Sequence, residues 1–184
     1  MASVFSHAVA ASAISVAFYR PNVPKPVWIA GIACSVIPDL DVIGFRFGIP
    51  YGDFWGHRGF THSLTFVALL AAVLAVGIWR TTFEISQVSG FAYLFLSTAS
   101  HGLLDAMTNG GLGVALFAPF DNQRFFLPWR PIRVSPIGVS RFFGASGLAV
   151  LQSELLCVWL PSILVMVLAT ISRSLRIAEP ESTR

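Results

Sequence analysis

The 184-residue chain is 55% hydrophobic and 11% charged, with a mean hydropathy of +0.72, which excludes an ordinary soluble domain. Its net charge of +3 comes from basic residues scattered through the connections and the C-terminal tail. That dispersal argues against nucleic acid as a partner and suits lipid headgroups, while Cys34 and Cys157, without paired spacing, exclude a disulfide framework and a thiolate metal site.

A helix that spans a bilayer needs about 17 to 25 mostly apolar residues. The pattern predicts five, at roughly 3–19, 27–45, 62–80, 90–108 and 153–172. No Lys or Arg precedes the first, so it reads as a retained span rather than a signal peptide, and it carries His7. RPNVPKP then forms a short connection whose Arg20 and Lys25 suit a membrane surface. The second span holds PDLD, with Asp39 and Asp41 in its later half and Pro38 placed to disturb the helix between them and the preceding turn. HRGFTHS opens the third span. His57 and His62 are too far round an ideal helix to share a face, but Gly56 and Gly59 permit an irregular loop, after which Thr61 could cap the helix. The fourth span ends in HGLLD, whose His101 and Asp105, four apart, lie on one helix face and can reach a common ion.

Segment 109–152 mixes Gly, Pro, Arg and aromatics, which suggests a structure lying in the interface. Arg124, Arg130, Arg133 and Arg141 read there as headgroup contacts. With no repeat and no shift in composition, residues 1–172 read as one membrane domain and 173–184 as a solvated tail. The expected fold is all-α: a polytopic membrane protein of about five transmembrane helices plus an interfacial segment.

An ionisable side chain within an apolar span costs on the order of 2.5 to 3.5 kcal/mol on insertion scales and so faces a partner or a cavity. Following the spans back and forth brings His7, Asp39, Asp41, His57, His62, His101 and Asp105 to a single membrane face. Imidazole and carboxylate donors without sulfur suit zinc, manganese or iron, and mixed sets of this kind commonly hold two or more metals. A bound divalent ion lowers the pKa of its water, so hydrolysis follows, with Arg58 placed to pair with a phosphate oxygen and Asp41 to assist a leaving group. Each element also has a plainer reading. A lone membrane histidine can be a helix–helix hydrogen-bonding residue, an i, i+4 polar pair can be helix glue, and the acids of PDLD can cap backbone N–H groups. Asp39 is the favoured ligand and Asp41 a ligand or a supporting group; Thr61 and Ser63 read as capping or supporting groups.

In this order PDLD, HRGFTHS, HGLLD and PFDNQRFFLPWRPIRVSP resemble the YdjM-type family of LexA-regulated, inner-membrane metal-dependent hydrolases, over a stretch from His7 to about Phe143. The resemblance implies a bacterial inner-membrane location, metal roles for the seven residues above, and site roles for Arg58 and Asp121. A looser similarity, the HxxxD/E ligand pattern of zinc-dependent phospholipase C, suggests a phosphoester by analogy. The leading expectation is therefore a membrane-embedded metalloenzyme that cleaves a phosphoester of a lipid or lipid-linked substrate, with segment 119–143 as a wall or lid and Phe125, Phe126 and Trp129 at the acyl boundary. The rivals are a divalent-metal transporter or metal-binding membrane protein and a structural protein. Basic residues are shared evenly between the two sides, Arg20, Lys25, Arg80, Arg173, Arg176 and Arg184 against Arg46, Arg58, Arg124, Arg130, Arg133 and Arg141, so the positive-inside rule gives no orientation. Discounting arginines that serve the site would tip it outward.

Overall fold

The computed structural model describes residues 1–18, 25–77 and 86–178, and the side chains of these apart from 139, 140, 145 and 176–178. Arg20, Arg80, Arg184, the side chain of Arg176, the ends of the first and third expected spans and the tail beyond residue 178 lie outside them.

The described residues are helical, with two isolated bridges and no strand. Helix α1, Val4–Phe18, packs on α2, Lys25–Val36, and both pack on α4, Gln87–Ala106, against which α3, Leu64–Gly77, also lies. A four-residue turn α5, Val139–Phe142, leads into α6, Ala145–Glu154, a π-turn over Leu155–Trp159 and α7, Leu160–Ala178, which packs on α1. Pro161 explains the π-turn: it offers no N–H to the carbonyl four residues back, and the chain widens so that Leu160 bonds back to Leu155.

Small and polar residues take a large share of the packed faces, beside Val27, Val67, Tyr93 and Leu94. Ser6, Ala11, Ala13 and Ser15 of α1, Gly31 and Ser35 of α2, Ala71 and Ala75 of α3, and Ser97 and Thr98 of α4 are buried, while Ile29, Leu69, Val73, Leu103 and Leu164 point outward. This is the arrangement of helices whose surroundings are as apolar as their side chains, where close backbone approach replaces hydrophobic burial as the glue. Gly31 is such a point, since a Cβ there would fall 1.9 Å from the Tyr93 hydroxyl.

Among the described residues two stretches are long and apolar enough to cross a membrane, Lys25–Phe47 and Ser146–Leu175. α1 and α3 are shorter apolar helices of 15 and 14 described residues, so the expectation of about five spans is met only at the coarser level of an all-helical chain with membrane-length segments.

The second stretch of the chain departs from α geometry where the sequence said it should. From Ile37 to Phe47 it winds as a 3-10 helix, with Pro38 in its first turn, and it stops at Gly48, whose φ of 78° lets its N–H turn back onto the carbonyls of Gly44 and Phe45. Without an N–H, Pro38 cannot bond to the carbonyl of Cys34 as an α-helix requires, and the tighter winding follows.

Residues 109–135 of the segment expected at the interface are joined closely to the helices. Their backbone is tied to the helix ends: Val114 and Phe125 exchange hydrogen bonds, Leu127 N–H reaches Ala106 O, Asn109 N–H reaches Ile132 O, Leu64 N–H reaches Leu116 O and Ala115 N–H reaches Arg58 O. They close the end of the bundle at which the polar residues gather.

Candidate metal centre

Three helices and one loop deliver their polar residues to that end: His7 from the first turns of α1, Asp39 and Asp41 from the 3-10 helix, His57 and His62 from the loop before α3, and His101 and Asp105 from the last turns of α4. The loop folds as it does because glycines permit backbone approaches no other residue could make. A Cβ on Gly56 would lie 2.2 Å from Pro50 O, and one on Gly59 2.3 Å from Phe54 O. Ser63, not Thr61, caps α3, accepting from Phe66 N–H.

All seven side chains meet. The ring centroids of His7 and His101 stack at 3.8 Å, those of His62 and His101 lie 4.6 Å apart, and those of His57 and His62 5.5 Å apart. Asp39, His62, His101 and Asp105, all buried, present donor atoms within 4.8 Å of one another, and Asp41, His57 and His62 form a second such group. His7 Nε2 stands 3.6 Å from Asp105 Oδ1 and 4.0 Å from Asp39 Oδ2.

Hydrogen-bond partners assign the protons. His101 Nδ1 is 2.7 Å from the carbonyl of Ser35, so it carries the proton and Nε2 presents a lone pair to the centre. His62 Nδ1 faces Thr61 Oγ1 at 3.1 Å and Asp41 Oδ2 at 3.2 Å, leaving its Nε2 bare as well. These two bare nitrogens are 3.0 Å apart, with Asp39 Oδ1 at 3.4 Å from one and 3.7 Å from the other. Among the described residues, neither oxygen of Asp39 and neither nitrogen of His7 has a hydrogen-bond partner. Buried acceptors in this number without donors would be severely destabilising. A shared proton would answer one nitrogen pair; a divalent cation answers the whole set. Imidazoles that give Nδ1–H to a carbonyl or carboxylate and turn Nε2 inward are also the usual form of metal-ligating histidine.

Asp41 differs from Asp39. Its side chain is buried, and its oxygens already meet four donors: His57 Nδ1 at 2.7 Å, Arg58 N–H at 3.1 Å, the Thr61 hydroxyl at 2.8 Å and His62 Nδ1. His57, oriented by that bond, leaves its buried Nε2 without a partner.

Arg58 is wholly buried and turned inward. Its Nε pairs with Asp105 Oδ2 at 2.9 Å, Nη1 donates to Gly110 O and Nη2 to Thr108 Oγ1. Its φ of 63° is uncommon for a residue with a side chain and is held by these bonds and by the Asp41 contact. The guanidinium expected to face a phosphate is therefore committed to Asp105 and the 108–110 loop. Asp121 is exposed and accepts from Gln123 N–H in a local turn, away from the cluster. Arg124, expected at headgroups, instead donates to the carbonyls of Tyr51, Asp53 and His57 and braces the histidine loop. Burial lowers its pKa from the ordinary value and pushes the neighbouring Tyr51 phenol up.

Glu154 escaped the sequence reading. It is buried in the last turn of α6 and accepts from the N–H and hydroxyl of Ser3, while Ala2 N–H donates to Asp105 Oδ1 at 2.6 Å. An acid at the mouth of an apolar run signals a buried partner on the same cost argument that flagged Asp39.

The YdjM inner membrane protein family model matches residues 1–176. The chain belongs to the YdjM inner membrane protein family. A relative, the inner membrane protein YbcI of Escherichia coli (strain K12), is 41% identical over 166 residues, 90% of this chain and 95% of its own length. No solved structure matches significantly. Membership of this inner-membrane family gives the small-residue helix interfaces and outward apolar faces their surroundings, and the match runs through the segment that carries Glu154 as well as through the histidines.

Proposed function

We propose that the protein is a membrane-embedded metal-dependent hydrolase acting on a phosphoester of a lipid or lipid-linked substrate, its five apolar stretches crossing or entering the bilayer. One observation carries the reading: three imidazole rings and two carboxylates converge, buried, and neither oxygen of Asp39 accepts a hydrogen bond among the described residues. His7, Asp39, His62, His101 and Asp105 would hold the ion, and nitrogen and oxygen donors without sulfur suit zinc, with manganese or iron as alternatives. When bound, such an ion lowers the pKa of water toward about 7 and so supplies a nucleophile.

The chain's own groups supply the rest. Asp41 fixes the tautomers of His57 and His62 and acts through them. His57 Nε2, bare and backed by Asp41 at 2.7 Å, is placed to accept a proton or return it to a leaving oxygen. Arg58 pairs with Asp105 and keeps its carboxylate aimed. A second ion at Asp41, His57 and His62 would have to displace the Nδ1 protons that Asp41 already accepts, so we infer one principal ion with Asp41 as the group that orients its surroundings. The lipid substrate is supported by the family's inner-membrane setting and by the cluster's place at one end of the bundle.

Transport is the rival, but transporters hold their cargo near the bilayer midplane between broken helices, often between repeats, and here the cluster crowds one loop-lined end of an unrepeated bundle. Proteoliposomes separate the two. Metal-dependent release of phosphate or headgroup, lost in His101→Ala together with bound metal, supports the enzyme; metal flux without turnover sinks it.

A further inference from the structure

Beside the metal cluster the outer surface carries two apolar grooves that the chemistry above does not use. The first, about 350 Å³, runs between the start of α1 and the approach to α5, with Met1, Val4, Phe5, Val42, Pro136 and Phe143 in its walls and only Ser3 and Ser135 as polar residues. The second, about 380 Å³, lies between α5, α6 and the π-turn and is lined by Gly147, Leu148, Leu151 and Trp159. Phe5, Phe142 and Phe143 belong to both. The rings of Phe5 and Phe142, 6.0 Å apart and tilted by 39°, form the partition.

We propose that these paired grooves bind the two acyl chains of one anionic glycerophospholipid, seated astride the Phe5–Phe142 partition with its headgroup at the Met1–Ser3 and Val42 edge of the metal cluster. Three features select this occupant. First, the walls are apolar and strongly exposed, Phe143 at 78% and Leu148 at 62%, in a chain whose family resides in a membrane, so acyl chains are what surrounds them. Second, two grooves of near-equal volume sharing one wall fit two chains diverging from one glycerol, whereas a single long prenyl chain would call for one undivided channel. Third, the first groove is continuous with the site. Its edge residue Val42 follows Asp41, Ser3 is gripped by Glu154, and Ala2 between Met1 and Ser3 donates to Asp105. Exposed Arg133 and Arg141, on the segment that forms the outer wall, favour a negative headgroup. Gly147 is needed for the second groove to exist in this form, since a Cβ there would lie 1.6 Å from Phe142 O.

The proposal rests on the hydrolase reading only in naming its substrate; binding requires no turnover and is tested apart from it. Full-length protein in detergent is exposed to phosphatidylglycerol or to its single-chain lyso form, with and without zinc, and retained lipid is counted by native mass spectrometry. The expected result is one two-chain lipid per protein, held roughly ten-fold or more tightly than the lyso form, because losing a chain loses the burial of an entire groove. Val4→Trp and Leu148→Trp, which fill one groove each, should bring phosphatidylglycerol down to the lyso level. A phosphatidylglycerol with a photoreactive acyl chain, used on the unaltered protein, should label the Phe142–Leu151 segment. Equal retention of both lipids, indifference to both substitutions, or labels spread only over the outer face of α7 would overturn the proposal, the last marking annular lipid. Lipid held without cleavage would leave the grooves standing and remove the hydrolase; cleavage untouched by the filled grooves would do the reverse.

Discussion

Asp41→Asn separates the orienting role of Asp41 from the ligand role of Asp39. Oδ2 of Asp41 meets three donors, Arg58 N–H, the Thr61 hydroxyl and His62 Nδ1, whereas Oδ1 meets one, His57 Nδ1. The single oxygen of an asparagine will take the position with three donors, so its NH2 must face His57. The imidazole can answer only by accepting at Nδ1, which moves its proton to Nε2 and removes the bare nitrogen proposed to handle protons. His62 keeps its orientation but loses a charged neighbour. Metal affinity should therefore fall by about 10- to 100-fold, or about 1.4 to 2.7 kcal/mol, the usual cost of losing a group that orients a ligand. Turnover should fall further, by about 10² to 10⁴ at saturating metal. Asp39→Asn removes an anionic ligand with no such retained contacts and should cost more affinity than Asp41→Asn does. Zinc competition against a chelator, hydrolysis of phosphatidylglycerol vesicles, and ¹⁵N spectra of labelled histidines read the three effects. If Asp41→Asn abolishes metal binding as completely as Asp39→Asn, or leaves the His57 tautomer unchanged, the division of labour between the two acids is wrong.

Arg58→Met removes the buried ion-pair partner of Asp105 and two side-chain hydrogen bonds, and should destabilise the protein by about 3 to 5 kcal/mol in detergent unfolding, since a buried charge is left uncompensated. Gly31→Ala forces a Cβ to 1.9 Å from the Tyr93 hydroxyl, so α2 and α4 must part, at about 1 to 3 kcal/mol by the same measurement and with little change in zinc affinity. Stripping metal with a chelator should lower unfolding free energy by about 2.7 kcal/mol relative to protein held at 100 times its dissociation constant for zinc, and His62→Ala should show no such difference.

The convergence of the seven ionisable residues is legible in the sequence because an ionisable side chain in an apolar run needs a partner, and span order alone brings these to one end. HGLLD is legible for a second reason, that four residues along a helix share a face. The separation of Asp39 from Asp41 is not, since it depends on the 3-10 winding that follows Pro38, and a proline announces disturbance without naming the geometry. Arg58 misled because an arginine beside a candidate site suggests an external anion. Its true acceptors, Asp105, Thr108 and Gly110, lie about 50 residues on and are brought near only by the fold. The same holds for Arg124 and the three carbonyls it braces. Glu154 is legible on the same cost argument, as an acid in an apolar run, although its neighbours carry no motif. Span count proved the weakest inference: composition marks apolar runs, whereas α1 and α3 hold only 15 and 14 described helical residues.

The winding of Ile37–Phe47 has a further consequence. Three residues per turn return every third side chain to one straight line, so the segment carries three rails rather than a slanting stripe. One rail starts at half-buried Ile37 and is exposed from there on, at Leu40, Ile43 and Arg46. The other two each begin with a proline or an acid turned inward: Pro38 with Asp41, and Asp39 with Val42 and Phe45. The outer rail can therefore drift in sequence without touching the chemistry, whereas inserting or deleting one residue between 38 and 42 would rotate a carboxylate out to the surface and an aliphatic chain into its place.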